Sequence, residues 1–171
     1  MRYALISAVS LSLCASTACG QQPTAVNSKQ ATPAHPAASA AKAAAGEDFT
    51  WGPAPAIFPA GAEMAVLQGN PGGTEMFTVR LRFPNGYRIA PHTHPTDEHV
   101  TVIHGHLKVG MGETVDAKSM MTLKPGGFVT APAKMAHYVT AVGPTVVQVS
   151  AMGPFAMTYV NPADTPPAAK Q

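Results

Sequence analysis

The sequence predicts an all-β domain, built as an antiparallel sandwich or barrel. Short runs with the composition of strands follow one another between residues 63 and 160, and turns rich in glycine and proline separate them. In the segment MFTVRLRF (76–83) every second residue is apolar, which is typical of a strand with one buried face. No long segment repeats its apolar residues with a helical period, so long helices are not expected.

The strand boundaries follow from this alternation and from the turns. The apolar face of 76–83 is expected to fill the interior, while Arg80 and Arg82 meet water or a partner subunit. Two glycine-centred triplets, HGH (104–106) and VGP (142–144), are interpreted as turns that separate strands. The predicted strands are 63–68, 75–83, 87–90, 99–104, 106–111, 128–131, 137–142, 146–152 and 157–160.

The charge balance gives no reason to expect a nucleic-acid-binding surface. The 171 residues include 11 Lys and Arg against 9 Asp and Glu, which leaves a net charge of +2. The two cysteines, Cys14 and Cys19, both precede the part of the chain with strand character. No disulfide framework is therefore available to the domain, so its stability must come from packing, with a bound metal as a further source.

Residues 1–18 have the features of an export signal. Arg2 supplies a positive charge, and residues 4–13 form an apolar stretch that is too short to span a bilayer permanently. The small residues that follow lead to Cys19 and resemble the lipobox of bacterial lipoproteins, although Ser16 stands where leucine is commoner. The resemblance implies a periplasmic lipoprotein that is anchored in the outer membrane through a lipid on Cys19; plain signal cleavage is the alternative.

Composition divides the rest of the chain into three parts. Residues 19–48 are expected to be a disordered linker, because alanine and proline dominate and almost no large apolar side chain is present. Residues 49–161 form the predicted β-barrel domain, which begins with an irregular arm that packs its aromatic side chains on the barrel. Residues 162–171 are expected to be a flexible tail.

Three histidines and one glutamate form the candidate metal site. His92 and His94 are two residues apart, so on a strand their side chains share one face. The turn HPTD (94–97) can bring Glu98 onto the adjacent strand, and His137 is expected to arrive from elsewhere in the barrel. Imidazole and carboxylate ligands together suit Fe, Mn, Cu, Ni or Zn, so the pattern predicts one divalent transition metal without selecting its identity.

The spacing of these residues resembles the two sequence motifs of the cupin superfamily. The first motif, G-x5-H-x-H-x3/4-E-x6-G, is matched at every fixed position from Gly86 to Gly105. The second, G-x5-P-x-G-x2-H-x3-N, is matched at Gly126, Pro132 and His137, but Lys134 replaces its glycine and Ala141 its asparagine. The resemblance covers about half of the chain and implies a double-stranded β-helix, or jelly-roll barrel, with a metal at its centre.

Other chemistry-bearing side chains are given structural roles. His99, His104 and His106 are expected to be solvated or to lie at the rim, and Tyr138 and Tyr159 to pack, with donation to a substrate oxygen as the alternative. The many methionines are expected to fill the barrel, since methionine adapts to irregular gaps, with a soft copper environment as the alternative. They are Met64, Met76, Met111, Met120, Met121, Met135, Met152 and Met157.

Three functions are compatible with these features. The first is a metal-dependent oxygenase acting on a small organic molecule, because four protein ligands leave two positions open in an octahedral field; no separate catalytic base can be named. The second is a non-catalytic protein that binds metal or a small ligand, and the third is a structural or sensory lipoprotein. The resemblance also implies a homodimer, because small cupins commonly pair, and residues 49–58 are a candidate for that contact. No nucleic-acid partner is expected. Contact with a membrane is expected only through the lipid on Cys19.

Overall fold

The computed structural model describes residues 49–167, and nearly all of its regular structure is β-strand. Every strand pairing in this part of the chain is antiparallel. One short 3-10 helix, Pro162–Asp164, follows the last strand. The strands are β1 (Gly52–Pro53), β2 (Glu63–Gln68), β3 (Met76–Phe83), β4 (Arg88–Thr93), β5 (Glu98–Met111), β6 (Met121–Leu123), β7 (Phe128–Ala131), β8 (His137–Met152) and β9 (Thr158–Tyr159).

Two long strands, β5 and β8, lie side by side through the whole domain. Their pairing extends from Glu98 opposite Ala151 to Met111 opposite His137, and we call this pair the β5–β8 ribbon. One half of the ribbon is flanked by β3 and β7, and the other half by β4 and β6. The same two strands therefore contribute to two faces of a sheet that curls into a barrel, as the sequence predicted.

The ribbon bends where each strand carries a glycine with a positive φ angle, Gly105 (φ 74°) and Gly143 (φ 73°). A Cβ atom on Gly105 would lie 2.3 Å from the carbonyl oxygen of Pro144, so only glycine fits there. The buried Thr145 hydroxyl donates to the carbonyl of His106 at 3.0 Å and supports the bend. The prediction that these glycines end their strands was wrong, because they redirect the backbone while pairing continues beyond them.

The alternating pattern of β3 predicted its buried face correctly. Arg80 and Arg82, on the opposite face, lie over the aromatic rings of two residues that precede β2. The guanidinium carbon of Arg80 is 4.5 Å from the ring centre of Phe49, and that of Arg82 is 4.1 Å from the ring centre of Trp51. The four apolar side chains of β3, all 0–3% exposed, are Phe77, Val79, Leu81 and Phe83.

The prediction that methionines fill the barrel was wrong for most of them. Met76 and Met152 illustrate the reason, because they pair with each other at the end of β3 and β8, where the side chains point outward. Met64 and Met157 are partly buried against the core. Five of the eight are exposed: Met76, Met111, Met121, Met135 and Met152.

The predicted export signal, Cys19 and the predicted linker lie outside the described residues. These predictions concern residues 1–48, and the structure tests none of them. Within residues 49–167 there is no helix with the length and hydropathy that a membrane span needs. The site described below lies entirely within the described residues.

Candidate metal centre

The structure brings all four predicted ligand residues together inside the barrel. His92 on β4 pairs in register with His137 at the start of β8, and His94 follows β4 on the same side. One ring nitrogen of each of these three histidines lies within 4.8 Å of the other two. A carboxylate oxygen of Glu98, Oε2, lies 3.6 Å from His94 Nε2 and 3.3 Å from His137 Nε2.

The bend in the β5–β8 ribbon is what places Glu98 beside His137. His137 is paired with Met111, which is 111 − 98 = 13 residues from Glu98 along β5. In an unbent ribbon this spacing corresponds to roughly 43 Å, at about 3.3 Å per residue. In the folded barrel the two side chains are 3.3 Å apart, so the site exists only because the ribbon folds over at its glycines.

Each histidine is held through its Nδ1 atom. His92 Nδ1–H donates to the carbonyl oxygen of Ala90 at 2.8 Å, and His94 Nδ1–H to that of Ala156 at 2.7 Å. His137 Nδ1–H donates to the carbonyl oxygen of Met135 at 3.2 Å. A carbonyl oxygen only accepts, so each Nδ1 carries a proton, and in the neutral ring that a metal requires Nε2 is the unprotonated atom, directed to the interior.

The unprotonated Nε2 atoms are acceptors without a matching donor, so they are suited to binding a cation. His94 Nε2 is buried and has no hydrogen-bond partner within the described residues. His137 faces a carbonyl oxygen at Nδ1 and the Glu98 carboxylate at Nε2, and a neutral ring has only one proton for these two acceptors. A metal ion bound between Nε2 and the carboxylate would satisfy all of these atoms, so the donor set fits the predicted metal.

Burial and neighbouring charges set the protonation of the site. Burial and the nearby His137 both lower the pKa of His92, the Ala90 carbonyl opposes them, and the resulting pKa is about 3. For Glu98, burial by itself raises the pKa, but hydrogen bonding to His137 and attraction to the three histidines outweigh it and leave the pKa lowered. His92 is thus neutral and Glu98 ionised at neutral pH, as metal ligands must be.

We expect the metal-free protein to lose stability as the pH falls below about 6.5. The folded-state pKa of His92, about 3, lies below its unfolded value. As the pH falls, the unfolded chain therefore binds the proton first, which stabilises the unfolded state relative to the folded state. The free energy of unfolding should fall by about 1.4 kcal/mol per pH unit from this group. Glu98 acts in the same direction, because the stability it contributes is lost as pH falls through its lowered pKa.

Urea unfolding of the full-length chain in the presence of a chelator, at pH 7.0 and pH 5.5, measures this effect. His92→Gln should reduce the pH dependence, whereas His104→Gln, which changes an exposed histidine, should leave it unchanged. An equally steep dependence in all three proteins would contradict the assignment of His92 as a buried neutral group.

The cavity beside the ligands is small and mostly apolar. Its volume is about 30 Å³, which admits roughly two water molecules. Its wall includes His92, Glu98, His137 and Met157 among aliphatic and aromatic side chains, and no further acid or base lines it. The polar atoms that face this cavity are therefore those of the candidate ligands.

The loop between β8 and β9, residues 153–157, covers the site, and sequence reasoning did not assign it a role. The ring of Phe155 stacks on His94 with centroids 5.2 Å apart, and the carbonyl of Ala156 accepts the His94 proton. Met157 contributes to the cavity wall. The single available signal in the sequence was the placement of two large apolar residues just after a long strand.

The turn before His137 keeps the backbone conformation that the second motif implies, although lysine replaces the glycine of that motif. Lys134, which stands where the second motif has glycine, adopts a φ angle of 63°. Its backbone N–H donates to the carbonyl of His94 at 2.8 Å, so the turn holds the end of β4 next to the start of β8. The departure in sequence therefore leaves the ligand geometry intact.

The remaining predicted residues lie away from the site or support it by packing. His104 and His106 are exposed, and His99 is half-buried against Phe128, with ring centroids 6.0 Å apart. The hydroxyl of Tyr138 bonds the backbone of residue 116, and that of Tyr159 donates to the carbonyl of residue 57 at 2.9 Å. Both tyrosines are buried, which agrees with the predicted packing role.

Comparison with known proteins identifies the fold. Among solved structures, a cupin 2 domain-containing protein from Halorhodospira halophila has a TM-score of 0.50 and 21% identity, covering 61% of this chain and 73% of that chain. KdgF from Halomonas sp. has a TM-score of 0.45 and 22% identity, covering 54% and 78%. A cupin superfamily protein from Desulfitobacterium hafniense has a TM-score of 0.46 and 12% identity, covering 55% and 79%.

The sequence comparisons add a family without an assigned activity. No curated protein matches the sequence. The model of the family described as "Domain of unknown function (DUF4437)" matches residues 19–158, which is more than half of the chain. With the cupin resemblance confirmed by fold, this chain is a member of the DUF4437 family whose domain is a cupin barrel.

Proposed function

We propose that this protein binds one divalent transition metal through His92, His94, His137 and Glu98, and that only ligands of a few atoms reach that metal. The observation that carries the proposal is the orientation of the three imidazoles. Each Nδ1 is tied to a backbone carbonyl, so each Nε2 is directed at a common point beside a buried carboxylate.

The four residues have distinct tasks in this proposal. The three neutral imidazoles supply borderline nitrogen donors, and Glu98 supplies the one negative charge that partly neutralises a divalent cation. The carbonyl of Ala90 and that of Ala156 fix the rings, so little ordering is required on binding. When bound, the metal supplies Lewis-acid or redox chemistry to whatever occupies its open positions.

The size of the interior cavity limits that ligand. About 30 Å³ accommodates water, dioxygen or a comparable small ligand, whereas typical organic substrates occupy pockets of about 300 Å³ or more. No acid or base other than the candidate ligands lines the cavity to assist a reaction. The geometry therefore favours the metal-binding function over the oxygenase acting on an organic molecule.

The position of Met157 favours that oxygenase as a second candidate. Met157 lines both the interior cavity and a surface cleft of about 260 Å³ that Ile57, Tyr159 and Thr165 also line. A rotation of this one flexible side chain would join the two spaces. An organic molecule in the cleft would then lie next to the metal, with Met157 as the barrier between them.

Full-length protein loaded with cobalt distinguishes the two candidates, because a ligand that reaches the metal changes the visible absorption bands of cobalt. The test compares a small ligand with a large one. We expect azide to change the cobalt absorption bands of the wild type and 4-nitrocatechol to leave them unchanged. In Met157→Ala, nitrocatechol should gain access. Binding of nitrocatechol to the wild type would favour the oxygenase, and failure to bind cobalt at all would contradict both candidates.

A further inference from the structure

A second and larger cleft lies on the outer side of the sheet that carries the metal ligands. Its volume is about 450 Å³, within the range of small-molecule sites. Ile89 and Val139 line both this outer cleft and the interior cavity. Successive residues of a strand point to opposite faces, so Arg88 and Thr140, which precede and follow them, project into the outer cleft.

Two cations flank the cleft in a single row across three strands. Thr140 on β8 pairs with Arg88 of β4 on one side and with Lys108 of β5 on the other. Two strand spacings place the cationic residues roughly 10 Å apart, with the Thr140 hydroxyl between them. Within residues 49–167 neither cation takes part in an ion pair or in a side-chain hydrogen bond.

The rest of the cleft is mostly apolar. Val115, Ala117 and Met120, from the segment between β5 and β6, line the same cleft. The hydroxyl group of Tyr138 is engaged with the backbone of residue 116, and that of Tyr159 with the carbonyl of residue 57. Neither hydroxyl is therefore free to bind a ligand in the cleft that both tyrosines line. The cleft thus combines a cationic end with an apolar body.

One carboxylate, that of Asp164, also lines the cleft, and it does not balance the two cations. A neutral apolar ligand would remove Arg88 and Lys108 from water without compensation, which is unfavourable. An anion bound between them would accept charge-assisted hydrogen bonds from both and from Thr140. The charge of the cleft therefore selects an anionic group attached to an apolar body.

We propose that this outer cleft binds a small amphipathic carboxylate, with its carboxylate between Arg88 and Lys108 and its apolar part against Ala117 and Met120. The proposal does not depend on the metal, because none of the candidate metal ligands lines the outer cleft. The two spaces nevertheless share Ile89 and Val139, and Ala90, whose carbonyl holds His92, lines the outer cleft.

Octanoate is a suitable probe, and methionine methyl resonances report where it binds. In full-length protein labelled with ¹³C at the methionine methyl groups, we expect a saturable shift of the Met120 resonance, because Met120 lines the outer cleft. The Met157 resonance should move little, because Met157 lines the interior cavity and the neighbouring surface cleft. Octanol, which has the same apolar body without the charge, should bind at least tenfold more weakly.

Substitutions separate charge from shape. The double variant Arg88→Gln/Lys108→Gln should weaken octanoate binding about tenfold or more, whereas Lys124→Gln, outside the cleft, should leave it unchanged. Ala117→Trp should fill the cleft and abolish the Met120 shift. Equal binding of octanol and octanoate, or the absence of a saturable Met120 shift, would overturn the proposal, as would octanoate binding that the double variant leaves intact.

Discussion

We expect the full-length wild-type protein to bind about one equivalent of metal per chain, and His137→Ala to lose it. The substitution removes one Nε2 ligand atom, which lies 3.3 Å from the Glu98 carboxylate. His92→Ala should have the same result, since His92 pairs in register with His137 and contributes to the same cluster. Elemental analysis of the purified proteins after dialysis measures the loss directly.

His106→Ala is the matched control for this loss. His106 lies on β5 of the same barrel but is exposed and makes no contact with the cluster, so its variant should retain the wild-type metal content. Circular dichroism of all the variants shows whether they remain folded. Unchanged metal content in folded His137→Ala and His92→Ala would reject the site.

The second large effect is expected at the bend, where Gly105→Ala should destabilise the domain by roughly 3–5 kcal/mol. The new methyl group would lie 2.3 Å from the carbonyl oxygen of Pro144 and 2.8 Å from the Thr145 hydroxyl oxygen. The first of these is backbone, which a side-chain rotation cannot relieve. The positive φ angle adds strain that any residue with a Cβ experiences.

Urea denaturation in the presence of a chelator gives the free energy of unfolding without the contribution of metal. Gly52→Ala is the matched control, because a Cβ at Gly52 has no neighbour within 4 Å and its φ angle is not positive. We expect its stability to stay within about 0.5 kcal/mol of the wild type. A Gly105→Ala protein equally close to the wild type would contradict the argument that this glycine is required for the bend.

The alternation of residues was sufficient to predict the core face of β3. Phe77, Val79 and Leu81 occupy every second position, with Thr78 and Arg80 between them, and a strand turns such a pattern into one buried face. The metal cluster was predictable for a similar local reason, since His92 and His94 must share a face. His137 could be added through its spacing within a known motif, not through any geometric argument from the sequence.

Long-range geometry was not predictable in the same way. A glycine such as Gly105 is equally compatible with a turn that ends a strand and with a bend inside one, because its freedom permits both. The exposure of Met76 and Met152 depends on which strands become neighbours at their ends. The role of Phe155 depends on where a loop comes to rest, which no local pattern encodes.

The order of the site residues along the chain constrains when metal can be captured during synthesis. His92 is made first, but its partner across the sheet is His137, and the carbonyl that orients His94 belongs to Ala156. A chain still emerging from the ribosome therefore lacks the assembled site until nearly the whole domain has been synthesised. In the proposed function, metal loading follows folding of the domain, and the incomplete chain offers no geometry that could hold the ion.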